Sequence, residues 1–488
     1  MSRNSLTPAI RFGTDGWRAR IAHDFTFANL ERVAQAYADY LIEQHLKRKT
    51  PVTLKVANEP HVIIGYDRRF LSEHFAARVA DVLAANNLRV ARFMTDVPTP
   101  LVSWTVREKN WAGGVVITAS HNPPDFNGFK IKDSFGGSAA PETTAAVEKL
   151  IDATPPRPRR ATLEMTDQAT NLDDAVTSYR AQIASYVDLE RIKKSSASII
   201  VDPMHGTGGC WVESFLTGGV INVETIRAMR DPLFGGVNPE PIDRNLAPLK
   251  KRVTEKKALI GLATDGDADR LGAVNELGQT MTMHEVVPLL LLHLARRRRM
   301  TGGVVRTFSQ SVLIKRLAAA HNLKLYETPI GFKYIAELML SEDILLGAEE
   351  SGGIGVKGHI PERDGILNSL LLLEAVIEAG QSPSEIVREI HREFGAFFFN
   401  RRDLHMEVAR GVELVAQLAA QPPAQFAGYQ VTGIETLDGT KLLFADESWL
   451  LFRQSGTEPV LRIYAEATSA AKTEELLAAG QALAHENY

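Results

Sequence analysis

Residues 115–132 read VVITASHNPPDFNGFKIK. The β-branched run Val115-Val116-Ile117 has the composition of a buried strand, and Pro123-Pro124 force the chain away from it. Ser120 therefore sits at the carboxyl end of a strand. Ligands bind at that end of open α/β sheets, so Ser120 is either a turn residue or a nucleophile.

Working outward, the same arrangement occurs three times. Residues 61–65 (HVIIG, then YDRR), 198–201 (SIIV, then DPMHGTGG) and 303–305 (GVV, then RTFSQS) each give an apolar strand and a polar loop. A helical stretch and a second strand follow in each case. The second strands run into TASHNP at 118–123, TDGDADR at 264–270 and GAEESGG at 347–353. Strands alternating with helical patterns predict α/β units with mixed, largely parallel sheets. The tail differs. After about Ala396 the chain offers a turn at Asp438-Gly439, strands near 449–453 and 460–466, and an Ala-rich helix over 470–484, which together suit a smaller α+β domain. Linkers are expected near 155–175, where PPRPRR interrupts the periodicity, near 280 and near 395.

At 488 residues the chain exceeds the ~250–300 at which a single core stops growing, so several domains are expected. A net charge of -4 offers no basic field for nucleic acid or an anionic membrane. Cys210 is the only cysteine, which rules out an intrachain disulfide and fits a reducing compartment. The start, MSRNSLTPAIRF, lacks the apolar core of a signal peptide, and a cytoplasmic protein is expected. Residues 286–295 (VVPLLLLHLA), followed by four arginines, are too short to span a bilayer; they read as a buried helix with Pro288 in its first turn.

Three motifs carry chemistry. Asp265, Asp267 and Asp269, alternating on a Gly-containing loop, gather hard oxygen ligands suited to Mg²⁺ or Ca²⁺. An EF-hand is excluded because its sixth position, which needs glycine, is Arg270. In RQSGTEP, residues 453–459, a guanidinium, two hydroxyls and a glycine make a cradle for a phosphate dianion, with Arg462 as a further cation; a hairpin turn is the alternative. Glu349, Glu350, Ser351, Gly352 and Gly353 combine acceptors with a hydroxyl, as a sugar requires; a helix start is the alternative.

In this order, from RFGTDGWR at 11–18 to RQSGTEP at 453–459, the chain resembles the α-D-phosphohexomutase family, the phosphoglucomutases and phosphomannomutases. The resemblance implies three similar α/β domains with mixed sheets plus a smaller α+β C-terminal domain around a central cleft. The corresponding stretches are 1–175 with the phosphoserine loop, 176–280 with the metal loop, 281–395 with the sugar loop and 396–488 with the phosphate cradle. It implies an isomerase that interconverts hexose 1-phosphate and hexose 6-phosphate, with Ser120 as the phosphoserine and a hexose 1,6-bisphosphate as intermediate and activator. One Mg²⁺ per chain would be held by Ser120, Asp265, Asp267 and Asp269. By match to TASHNPxxxNGxK, His121 and Lys130 lie beside the serine, Lys130 as acid/base or as a fixed cation, with Arg20 and Arg270 as further cations. Glu349 and Ser351 would hold sugar hydroxyls. Lys333, Arg453, Ser455, Gly456, Thr457 and Arg462 would contact phosphate. A monomer or homodimer is expected, with neither a nucleic-acid nor a membrane partner.

Two departures bear on the sugar. Phe332, in TPIGFK, stands where many dual-specificity members carry histidine, and it cannot donate a hydrogen bond. The loop AEESGG ends differently from the Gly-His of mannose and glucosamine mutases. Both tilt the expectation to glucose, over a phosphomannomutase, a dual-specificity enzyme or a phosphoglucosamine mutase. A phosphatase would need water at Ser120. A non-catalytic sugar-phosphate sensor would lack the catalytic residues that are all present here.

Overall fold

A computed structural model describes residues 10–13, 15–48, 60–157, 172–456 and 459–486. The linker expected near 155–175 falls largely outside them, as do residues 1–9. The chain forms two compact units, 1–280 with 353–377 and 281–352 with 378–488, so it passes from one to the other after Thr280, Gly352 and Ile377.

The first unit contains two sheets of one design. In the first, His61–Tyr66 lies between Arg89–Arg92 and Gly113–Ile117, parallel to both, and Phe126–Asp133 and Trp17–Arg20 extend it antiparallel. In the second, Ser198–Asp202 lies between Asn222–Thr225 and Ile260–Thr264, again parallel to both, with Leu271–Asn275 antiparallel beyond. Val62, Ile63, Ile64, Val115, Val116 and Ile117 are wholly buried. Strands covered on both faces carry continuous apolar runs rather than alternation, which is why these were readable.

The second unit repeats the pattern once: Gly303–Thr307 lies between Leu325–Thr328 and Ile344–Ala348, parallel to both. The apolar helix forms, but Met283–Leu292 begins earlier than expected, because Thr282 and Glu285 close a capping box ahead of it. Pro288 is consequently inside the helix and not in its first turn. Among the described residues no helix is long and apolar enough to cross a membrane.

The rest of the second unit is an antiparallel sheet in the order Phe398–His405, Val460–Ala467, Trp449–Gln454, Thr440–Phe444, Tyr429–Glu435, Gln425–Phe426. Leu450, Phe452, Leu461 and Ile463 are fully buried in one core with Leu414 and Leu418 of Val408–Ala420 and Leu476 and Leu477 of Ala470–Glu486. Full burial of each such side chain contributes about 1.5–3 kcal/mol. This is the smaller α+β domain expected from the tail.

Candidate active site

In the first unit the sequence motifs lie where their strands end. Gly113–Ile117 delivers Ser120 in a left-handed conformation, φ 53°, uncommon for a residue with a side chain. Arg69, wholly buried, holds the loop there: its Nη atoms donate to the carbonyls of Ser120, Asn122, Pro123 and Phe126 at 2.7–3.0 Å. Asp67 in turn accepts from Arg69 Nε at 3.1 Å and Thr118 Oγ1 at 2.6 Å. The metal loop passes close by. A Cβ on Gly266 would stand 2.6 Å from the carbonyl oxygen of Ser120, so only glycine fits between the two loops.

Ser120 Oγ donates to Asp265 Oδ2 at 2.8 Å and lies 3.3 Å from His121 Nδ1. Asp265 Oδ1 accepts from the amides of Asp269 and Arg270 at 3.0 and 3.1 Å, which curls the loop and brings the carboxylates together. One ligand oxygen from each of Asp265, Asp267 and Asp269 lies within 4.8 Å of the others, and all three residues are buried. Among the described residues, Oδ1 of Asp267 and Oδ1 of Asp269 are buried without a hydrogen-bond partner. Such oxygens are costly unless a cation takes them, and a set of hard anionic oxygens fits Mg²⁺. Burial, with Asp267 and Asp269 adjacent, pushes the Asp265 carboxyl well above the usual range. Burial would also raise Asp267, but Lys130 outweighs it and holds that group low.

Lys130 is fully buried, with Nζ 2.9 Å from Asp15, 2.9 Å from Asp267 and 3.0 Å from Asp269. Burial would lower its pKa, but Asp15, Asp267 and Asp269 outweigh that and hold it above its ordinary value. Of the two roles read from the sequence, this geometry suits the fixed cation rather than the acid/base. His121 is driven well below its ordinary value by burial and then by Arg270 and Arg18. Arg270 Nε lies 4.0 Å from Asp265 and 3.9 Å from Asp269. Arg20 is largely exposed and pairs with Asp125, at the far end of the serine loop, at 2.8 Å. Arg18 of the same strand reaches that loop closer to the serine, donating to Asn122 Oδ1 at 2.8 Å. Alternation along Trp17–Arg20 does not separate the two, since they share a face of this edge strand; Arg20 is its last residue, opposite Phe126 at the start of the neighbouring strand, and Arg18 lies two residues further in, opposite Gly128.

An ionic lattice absent from the sequence reading supports these groups. Arg363 Nη2 joins Asp15 at 2.7 Å and Asp269 at 2.9 Å, and Glu362 accepts from Lys132 Nζ at 2.6 Å. Asp15 belonged to a quoted motif. Glu362 and Arg363, in PERDG, gave no local signal.

In the second unit, Ile344–Ala348 delivers buried Glu349, and Glu350 Oε1 accepts from Arg401 Nη1 at 2.6 Å. Arg401 lies on Phe398–His405, opposite Tyr464, and was not anticipated. On the neighbouring strands Arg453 and Arg462 face each other in register. Arg453 Nε donates to Asp438 at 2.9 Å, Ser455 is buried and Gly456 exposed. Ser351 is half-buried, and Lys333 Nζ lies 4.9 Å from the centroid of the Tyr334 ring. Thr457 lies outside the described residues.

Three repeated α/β sheets with a charged loop at a strand end of each are followed by a small antiparallel domain. Four family models match in order: phosphoglucomutase/phosphomannomutase alpha/beta/alpha domain I over residues 9–157, domain II over 177–278, domain III over 283–394 and the C-terminal domain over 407–480. A phosphoglucomutase/phosphomannomutase of Thermococcus kodakarensis is 30% identical over 478 residues, covering 97% of this chain and 98% of that protein. A phosphoglucosamine mutase of Carboxydothermus hydrogenoformans is 27% identical, covering 96% and 97%. A crystal structure from Thermus thermophilus, provisionally named a phosphomannomutase, is 36% identical with a TM-score of 0.82, covering 98% of this chain and 99% of that one. The chain belongs to the phosphoglucomutase/phosphomannomutase family. It is an isomerase of the phosphohexomutase type, transferring phosphate between positions of a sugar. The family depends on Mg²⁺, and the three aspartates are residues that could hold it.

Proposed function

We propose that the protein interconverts hexose 1-phosphate and hexose 6-phosphate, with glucose as the preferred sugar, through a phosphoserine at Ser120 and a hexose 1,6-bisphosphate. The observation that carries this reading is the 2.8 Å bond from Ser120 Oγ to Asp265, beside two buried carboxylate oxygens, Oδ1 of Asp267 and of Asp269, that accept no hydrogen bond among the described residues. A phosphoryl group on Ser120 would replace that hydroxyl proton with anionic oxygens directed at the cation site. Mg²⁺ bound to the aspartates would stabilise the dispersed oxyanion charge of phosphoryl transfer.

Phosphoserine 120 passes its phosphoryl group to the free hydroxyl of the monophosphate: the Oγ–P bond breaks as the sugar O–P bond forms, and the hydroxyl's proton ends on Ser120 Oγ. The bisphosphate turns round and returns its other phosphoryl group. Lys130, fixed among carboxylates, contributes positive charge, and Arg270 and Arg18 add to it. Glu349 and Ser351 hold sugar hydroxyls, while Arg453, Ser455, Gly456, Thr457 and Arg462, with Lys333, grip the phosphate that is not being transferred. The preference for glucose rests on Phe332 and on the loop ending Gly352-Gly353.

The test is an assay of purified protein with glucose, mannose and glucosamine 1-phosphates, each with Mg²⁺ and a trace of the matching 1,6-bisphosphate. The highest kcat/KM is expected with glucose 1-phosphate. A higher value with another sugar would reject the glucose preference. Stoichiometric release of inorganic phosphate in place of isomerisation would reject the mutase reading.

A further inference from the structure

We propose that Asp438 is a positioning residue for the phosphate grip, fixing the orientation of Arg453 and tying it to the segment that leads into the helix carrying Lys333. The proposal rests on the reading of Arg453 as a phosphate ligand. Asp438 lies in the turn between Tyr429–Glu435 and Thr440–Phe444. By sequence it is only half of an Asp-Gly turn signal. The structure gives it two partners. Its Oδ2 accepts from Arg453 Nε at 2.9 Å and from the Ile330 amide at 2.8 Å.

The turn is pressed onto the arginine's own strand. Gly439 has φ 106°, and a Cβ there would stand 2.4 Å from the Phe452 carbonyl oxygen and 3.2 Å from Arg453 Cα. The carboxylate therefore has little freedom to leave its place. Asp438 and Arg453 are 23% and 14% exposed, so water competes weakly for the bond.

The chemistry follows from guanidinium geometry. A bond at Nε fixes rotation of the plane and keeps the two Nη groups as a fork, the arrangement that binds a phosphate bidentately. Ile330 directly precedes Gly331, at φ 141°, and the helix Phe332–Ser341. One carboxylate oxygen thus sets two cationic elements, Arg453 and the start of the helix that carries Lys333, in a common frame before any phosphate arrives.

The test measures glucose 1-phosphate binding calorimetrically, with Mg²⁺ present, for Asp438→Ala, Asp438→Asn, Arg453→Ala and Asp438→Ala/Arg453→Ala. Asp438→Ala is expected to weaken binding about 10-fold in the otherwise native chain but less than about 2-fold in the Arg453→Ala background, as coupled residues behave. Asp438→Asn should stay within about 3-fold of native, because both donors meet a single oxygen that an amide retains. If Asp438→Ala does not fold, Asp438→Ser, too short to reach Arg453, takes its place under the same criteria. An equal loss in both backgrounds, no loss in either, or a loss in Asp438→Asn matching that in Asp438→Ala overturns the proposal. A failure of the underlying reading is distinguishable, since Arg453→Ala alone would then leave binding unchanged.

Discussion

Ser120 Oγ and Asp265 Oδ2 share a 2.8 Å hydrogen bond between loops 145 residues apart in the chain. Neither loop could make the site alone: one supplies the hydroxyl and the other the carboxylates. Ser120→Ala is expected to lower turnover by at least ~10³, because the phosphoryl carrier disappears and no comparable nucleophile adjoins it. Intact-mass measurement of active native protein should show a fraction heavier by one phosphoryl group, absent from the variant. Near-native turnover in Ser120→Ala would remove Ser120 from the mechanism.

Chelation of divalent cations should abolish activity, and Asp267→Asn should weaken Mg²⁺ binding by at least about 10-fold through loss of one anionic ligand. Titration calorimetry with Mg²⁺ alone reads this without turnover. Unchanged Mg²⁺ affinity in Asp267→Asn would refute the assignment of the loop.

Arg453→Ala should raise KM for the monophosphate, corresponding to roughly 2–5 kcal/mol, the range for truncating one partner of a buried charge pair. It should also increase dependence on added 1,6-bisphosphate, since the intermediate escapes before its second transfer. Steady-state kinetics at several bisphosphate concentrations checks both. Normal KM without extra activator would return RQSGTEP to the status of a turn.

Glu362 gives a pH dependence of stability. Burial would raise its carboxyl, but Lys132 and Arg363 outweigh it and hold it at about 2, against an ordinary 4.5. A depressed carboxyl contributes stability that is fully present above the unfolded value and lost as pH falls through the folded one. The native protein should therefore lose stability relative to Glu362→Gln between about pH 4.5 and 2. At neutral pH the variant should be less stable by about 3–5 kcal/mol, the cost of leaving a buried partner unpaired. Thermal melts across that range decide it, and parallel curves would contradict it.

The strands that deliver the motifs were legible because burial on both faces leaves an unbroken apolar run, as in Val115-Val116-Ile117. Phe398–His405 was not legible. Its sequence, FFNRRDLH, lies at a half-exposed sheet edge and shows no clean alternation. The motif singles out Lys130, but its setting was not readable, because Asp15 and Asp267 reach it from distant segments. Arg20 and Arg18 pose a related problem: both belong to one four-residue strand and share a face, and only the position along it separates the exposed arginine from the half-buried one. Arg363, Arg401 and Asp438 act by meeting partners 348, 51 and 15 residues away, separations at which no periodicity in the sequence carries a signal.

The path of the chain also limits how the protein can be dissected. Glu362 and Arg363 reach the first unit through residues 353–377, so a fragment ending at Thr280 would bury Lys132, Asp15 and Asp269 without those counterions. Such a fragment has the sequence of two complete family domains but lacks part of the charge balance beneath them. An excised first unit would have to be a spliced polypeptide containing both 1–280 and 353–377, and a split-protein reporter cut between those stretches would separate the partners of these ion pairs.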